Sequence, residues 1–265
     1  MLGRVPMPPE KDWRAPPDEA GDDALQYSDI AIGYLRRNAR YRTDYARALA
    51  KVKRGAITAD EATATLVRRW GISFHAAPSS PYDRKLTVAR PDLSPDNVVL
   101  APAVPGTGAE PAFDTRTLGA VRARMKIGDR LHLILADRNG DEHLWICGPP
   151  NQPMAIMLPI GSDSLIRLAS AERLYRRLKG IATGPPVLRP PPFRRSHLLT
   201  LLQVLDGHIM GASRRELAVA LIDRNVRDYN AAEWADCRER KRINRWITEA
   251  VELRDGGYVR LLRGG

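Results

Sequence analysis

Apolar residues recur along the chain with two different spacings, which separate helical ends from a strand-bearing middle. Over residues 27–54 (YSDIAIGYLRRNARYRTDYARALAKVKR), Ile30, Tyr34, Leu35, Tyr41, Tyr45, Leu49 and Val52 fall at intervals near three, four and seven, the period of one helix face. Asn38 marks a break in that stretch. Thr58, with Glu61 three residues later, forms a capping box, so a second helix opens there; it places Ala62, Leu66 and Trp70 on one side and ends at Gly71. The period then changes. LHLILA (131–136) and EHLWICG (142–148) flank DRNGD, where Asn139-Gly140 is a strong hairpin signal. MAIMLPIG (154–161) is a third strand candidate. Helical spacing returns from Ser164 to Lys179 through Leu165, Leu168, Ala171, Leu174, Tyr175 and Leu178.

The last third reads as helices. Arg194 to Gly207 is amphipathic through Leu198, Leu201, Leu202 and Leu205, and Gly207 and Gly211 bracket a turn. Ser213-Arg214-Arg215-Glu216 is a capping box that opens a helix with Leu217, Ala218 and Leu221 facing inward. A long connection, Asp223 to Tyr229, leads to a further box at Asn230 and Glu233. It predicts a third helix running to about Leu253, stopped by Gly256-Gly257. Tyr258, Val259, Leu261 and Leu262 are expected to lie back as a wing-like strand. Proline and glycine mark two loops, 101–111 (APAVPGTGAEP) and 184–192 (GPPVLRPPP).

The expected fold class is therefore α+β, mostly helical: a small N-terminal helical domain, a central β-hairpin region and a C-terminal helix-turn-helix variant. The corresponding domains are 1–75, helical; 76–112, linker or irregular; 113–183, hairpin plus helix; 184–192, proline-rich linker; and 193–265, the extended-turn helix-turn-helix domain.

Charge sharpens the picture. The 265 residues carry a formal net charge of +11, which favours a polyanionic partner, while 43% hydrophobic residues suffice for a core. No segment approaches the ~18 uninterrupted apolar residues of a membrane helix, and MLGRVPMPPEKDWR has no apolar signal core. The expectation is a cytoplasmic protein with no membrane partner. Cys147 and Cys237 form no CxxC and have no histidine at zinc-site spacing, so both are read as reduced packing residues, with no metal and no cofactor.

An enzyme finds little support. His75, His132, His143, His197 and His208 are scattered; His132 and His143 can face each other across the hairpin, but no nucleophile or carboxylate pair accompanies them. Ser79 and Ser80 have no base at readable spacing. Neither GxxxxGK[ST] nor GxGxxG occurs. No small-molecule substrate is expected. With only 6% aromatic residues, an RNA-stacking platform is not evident either.

The predicted third helix carries the positive chemistry. At 100° per residue from Trp234, Arg238, Lys241, Arg242 and Arg245 lie within about 60° of one direction, and Ile243, Trp246, Ile247 and Ala250 gather opposite. A helix docked by its apolar side would turn four cations outward, the shape of a helix in a DNA groove. Arg214 and Arg215, opening the preceding helix, are placed to hold phosphate beside it. Trp234 falls on the basic side, so either it packs against the long turn or the helix starts after it. The aromatic stripe Tyr34, Leu35, Tyr41 and Tyr45 is expected to pack against protein, either across a domain interface or within the small domain.

These residues carry a resemblance. LLQVLDGHIMGASRRELAVALI (201–222) with NRWITEAVELRDGGYVRLLR (244–263) resembles the extended-turn helix-turn-helix domain of proteobacterial two-domain transcriptional activators of integrative and conjugative elements. The residues that match are Leu205, Asp206, Gly207, Gly211, Ala212, Ser213, Arg215, Glu216, Ala218, Leu221, Arg245, Gly256, Gly257, Tyr258 and Leu262. DWR (12–14) and YLRRNARYRTDY (34–45) resemble the small regulator-like domain paired with it; 76–112 match poorly. Ala31-Ile32-Gly33 and Glu239 depart from the pattern, the latter at a commonly apolar position. The resemblance implies double-stranded DNA bound through a positive face, the other face meeting the N-terminal domain, and activation of excision and transfer genes. RNA polymerase and an antiactivator are the protein partners it suggests. Stand-alone acidic relatives act as antiactivators, and an antiactivator or protein-interaction module without DNA binding is the alternative. Fifteen Lys/Arg against ten Asp/Glu over 189–265, a net +5, favour the activator.

Overall fold

Local capping sets the N-terminal elements. A computed structural model of the chain describes residues 12–15, 25–72, 77–78, 89–109, 114–149 and 152–265. Helix α1 (Tyr27–Arg36) opens where the Asp29 carboxylate accepts from the Gln26 amide at 2.8 Å. Asn38 then restarts the chain as the N-cap of α2 (Ala39–Lys53), its Oδ1 accepting from the amides of Arg40 and Tyr41 at 2.9 and 3.0 Å. Thr58 and Glu61 form their reciprocal box at 3.1 and 2.7 Å, opening α3 (Ala59–Trp70), which closes on left-handed Gly71.

The middle is a sheet. Strands β1 (Val98–Pro102), β2 (Val121–Ile127), β3 (Arg130–Leu135), β4 (Glu142–Cys147) and β5 (Met154–Met157) lie in the order β2-β3-β4-β1-β5 among the described residues. The hairpin β3–β4 sets His132 opposite Trp145 and Leu133 opposite Leu144, while β1 runs parallel to β4 and β5 antiparallel to β1. Two strands depart from the sequence reading. β1 falls within the expected linker and takes its last two residues from the expected 101–111 loop. Its partners are distant in sequence, so only the folded sheet gives this short apolar run a place. β2 lies where no strand is expected from the sequence reading.

One face of the sheet buries Val98, Leu100, Leu133, Leu135, Leu144 and Ile146 with Leu118 and with Leu174 of α4 (Ser164–Leu178). A buried charge cluster pins α4 to the hairpin. Arg173 reaches Glu142 at 3.1 Å and Asp137 at 3.4 Å, and Arg177 reaches the same two carboxylates at 2.5 and 3.3 Å.

The C-terminal third comprises α5 (Pro192–Ile209), α6 (Arg214–Leu221), a 3-10 turn (Arg224–Asp228), α7 (Ala231–Asp236), α8 (Arg238–Glu252), a π-type turn (Leu253–Gly257) and α9 (Tyr258–Leu262). The single third helix of the sequence reading is thus two. Cys237 is extended (φ −66°, ψ 153°), ends α7 and caps α8. The wing-like strand is not formed either: the last apolar piece is α9, packed on α1. A short apolar run fits both periods, and as a helix it satisfies its own backbone while burying Tyr258, Leu261 and Leu262. Tyr27, Ile30, Tyr34, Leu35 and Tyr41 share one core with Leu198, Leu201 and Leu205 of α5 and with Ala250, Leu253, Leu261 and Leu262. The N-terminal and C-terminal helices are therefore built around the same apolar centre.

Candidate nucleic-acid interface

The trio α5, α6 and α8 is held by a small core of Val204, Leu217 and Ile243, and its fourth member is Trp13 from the N-terminal DWR segment. Gln203 fixes that segment by donating from Nε2 to the carbonyls of Trp13 and Ala15 at 3.2 and 2.8 Å. Gly207 makes room for the indole: a Cβ there would stand 2.5 Å from Leu217 Cδ2 and 3.0 Å from Trp13 Cδ2. The two sequence motifs thus meet in one packing unit.

On this base α8 lies with Ile243 and Ala250 buried and with Trp246 and Ile247 half-buried. Its opposite side carries Arg238, Lys241, Arg242 and Arg245, all exposed. The Arg242 guanidinium lies 5.8 Å from the Trp246 ring centroid, and Lys241 Nζ stands 3.4 Å from Asp236 of α7. Arg238 is 88% exposed and donates to Glu239 at 2.6 Å, which holds the Glu239 carboxyl below its usual range. Glu239 itself is buried, so the commonly apolar position is filled by a carboxylate whose charge is met at the surface.

Cys237 contributes through its thiol, which accepts from the Arg240 amide and donates to the Trp234 carbonyl, both at 3.4 Å. The split at Cys237 also settles Trp234: it belongs to α7, and the basic helix starts after it. Cations in the first turns of a helix oppose its macrodipole. Arg238, Arg240, Lys241 and Arg242 accept that cost, with one acidic residue, Glu239, in the first turn.

The two arginines that open α6 part company. Arg214 turns toward α8 and donates from Nε to Asn244 Oδ1 at 2.7 Å. Arg215 turns the other way. It donates to the carbonyls of Val226 at 3.2 Å and Arg227 at 3.1 Å, and also to that of Tyr229. Arg215 thus clamps the long turn, a role that the phosphate reading missed. The clue in the sequence was the long turn itself, which has carbonyls to satisfy and no regular partner for them.

The aromatic stripe of α1 and α2 is equally specific. Tyr34, Leu35 and Tyr41 are buried, and Tyr45 packs against the same cluster. The Tyr34 hydroxyl donates to the Leu198 carbonyl of α5 at 2.7 Å, and burial raises its pKa. His132 and His143 do meet across the hairpin, Nε2 to Nδ1 at 3.3 Å, and burial of His132 lowers its pKa well below the usual value. Among the described residues no group of three or more His, Cys, Asp or Glu is arranged to hold a metal ion. No helix among them is long and apolar enough to cross a membrane.

α8, with its exposed basic side, and Trp13, locked into the same core, fall in two separate family matches. Residues 157–263 match a family of T6SS transcription-factor DNA-binding domains, and residues 12–75 match the proteobacterial transcriptional regulator-like domain. Residues 96–156, which hold the sheet, match a domain of unknown function. No curated protein matches the chain. The first two matches indicate a transcriptional regulator with a DNA-binding domain; neither family is one of enzymes.

Proposed function

We propose that this chain activates transcription by seating the exposed side of α8 in the major groove of duplex DNA, with Arg238, Lys241, Arg242 and Arg245 as the contacting residues and Arg214 beside them. The observation that carries this reading is the division of α8 into an exposed cationic side and a side packed on α5 and α6. Arginine suits both jobs required: it clamps phosphate, and it reads guanine O6 and N7 bidentately. Arg215 acts indirectly, by fixing the turn that leads to α7 and α8.

The setting we favour is the excision and transfer genes of an integrative and conjugative element, on the motif resemblance. The T6SS label belongs to the C-terminal family and is not carried over to this chain. RNA polymerase is the protein partner an activator of this kind requires. The antiactivator reading needs a C-terminal domain whose inner face is open to a foreign N-terminal domain. Here that face is filled by the chain's own Tyr34, Leu35 and Tyr41, which favours the activator.

The experiment is a promoter-binding titration at two salt concentrations for the Arg242→Ala/Arg245→Ala double variant. Loss of affinity with a shallower salt dependence is expected. If the folded double variant binds as tightly as wild type, α8 is not the reading element, and the protein-interaction reading takes its place.

A further inference from the structure

A second basic feature lies apart from the side chains of α8. The residues of α6 that face away from its core, Arg215, Glu216, Val219 and Ala220, form one wall of a cleft of about 530 Å³. The 3-10 turn supplies Arg224 and Arg227, and the N-terminal segment supplies Arg14. Four arginines from three separate stretches of chain thus line a concave space within the ~300–1,000 Å³ range usual for small-ligand sites.

Two of the four are pre-positioned. Arg215 is held by the turn carbonyls, and Arg14 stacks with its Cζ 4.1 Å from the Trp13 ring centroid. Arg224 and Arg227 are exposed. Among the described residues the nearby carboxylates offset only part of this charge. Glu216 is committed to the Ser213 amide at 2.7 Å, and Asp12 stands 3.8 Å from Arg14 on an exposed edge. Like charges gathered in this way repel one another unless an anion joins them, and planar guanidinium donors favour phosphate oxygens. Val219 and Ala220 add an apolar wall against which a non-phosphate portion can rest.

We propose that this cleft binds a phosphorylated small molecule of nucleotide size. Arg14, Arg224 and Arg227 engage its phosphate groups, and Arg215 sets the geometry of the turn. Because Arg14 adjoins Trp13, which is buried in the α5–α6–α8 core, such a ligand would tie the N-terminal segment to the DNA-binding unit. The proposal does not depend on α8 being the DNA-reading element.

The same phosphate chemistry could come from a nucleic-acid backbone, so the test has two arms. In the first, the full chain is titrated calorimetrically, without DNA, with inorganic pyrophosphate and then with ADP and GDP. Saturable binding is expected, weakened about tenfold or more in Arg224→Gln/Arg227→Gln and unchanged in Arg242→Ala/Arg245→Ala. In the second, the same variants are titrated with promoter DNA alone. Arg224→Gln/Arg227→Gln should bind DNA as wild type does. No saturable binding of any of the three probes, or equal binding by wild type and Arg224→Gln/Arg227→Gln, overturns the proposal. So does a result in which that variant loses DNA affinity while pyrophosphate, ADP and GDP fail to bind, since the cleft would then be a backbone contact.

Discussion

Arg37 and Asp206 form a two-pronged ion pair, Nε to Oδ1 at 2.5 Å and Nη2 to Oδ2 at 2.6 Å, with side chains only 9% and 11% exposed. Arg37 closes α1 and Asp206 sits in α5, so the pair crosses from the N-terminal helices to the C-terminal ones. A third donor, Nη1, returns to the Gly33 carbonyl at 2.7 Å. The LDG and YLRRN motifs, 169 positions apart, thus each supply one half of this contact.

Breaking this pair from one side should be costly, because the remaining charge stays buried. Asp206→Ala is expected to lower unfolding stability by about 3–5 kcal/mol in urea titrations. Replacing both partners by apolar residues of similar size, Arg37→Met with Asp206→Leu, should recover most of the loss. A double variant no more stable than Asp206→Ala would show that the pair is not the origin of the cost.

Gly207 and Trp13 should behave as one unit. Gly207→Ala pushes a methyl group into Leu217 and the indole, so a loss of roughly 1–3 kcal/mol is expected. Trp13→Ala empties the site, at about 3–5 kcal/mol. Once the indole is gone the added methyl has space, so the two losses should fall well short of additive in thermal or urea unfolding. Strict additivity would place Trp13 elsewhere in solution.

His132 should make stability pH-dependent. Burial lowers its pKa in the folded protein well below 6.5, so the native ring stays neutral where the unfolded ring takes up a proton. The unfolded state then binds more protons, and stability, complete above the unfolded value, falls as pH drops below about 6.5, by up to ~1.4 kcal/mol per pH unit. His143, whose ring stacks on it at 5.3 Å, opposes the charge further. The His132→Leu variant should show a flatter difference between urea unfolding at pH 7.5 and at pH 5.5. An unchanged slope would assign the acid sensitivity to other groups.

How much of this was legible follows from the range of the forces involved. Caps at Thr58, Ser213 and Asn230 are local, and all three appear in the structure as the sequence spells them, while the break at Asn38 proves to be a fourth cap. β2 is written just as locally, although no strand was expected there: Val121, Ala123, Met125 and Ile127 alternate with Arg122, Arg124 and Lys126. β1 is not, because its pairing with β4 and β5 is settled by contacts far along the chain. Nor is the break at Cys237, which has neither proline nor glycine to announce it. The four cations of α8 were placed by helical period alone, whereas the commitment of Arg215 to three carbonyls needed the path of the turn.

That commitment yields the last prediction, which separates support from contact. Arg215→Ala removes three charge-assisted hydrogen bonds, to Val226, Arg227 and Tyr229; the Val226 carbonyl keeps the Tyr229 amide at 3.4 Å, but the half-buried Tyr229 carbonyl loses its donor. A loss of about 2–3 kcal/mol in stability is expected. Arg215→Lys should not restore it, because one ammonium cannot span the three acceptors that a planar guanidinium reaches. Arg214→Ala, which loses one exposed bond to Asn244, should stay within about 0.5 kcal/mol of wild type. DNA binding should sort the same variants differently. If Arg215 acts only through the turn, the folded Arg215→Ala protein keeps the wild-type salt slope, whereas each phosphate that α8 no longer neutralises lowers that slope by roughly 0.9. A slope reduced in Arg215→Ala as much as in Arg242→Ala would place Arg215 on the DNA and remove the distinction between the clamp and the contacting face.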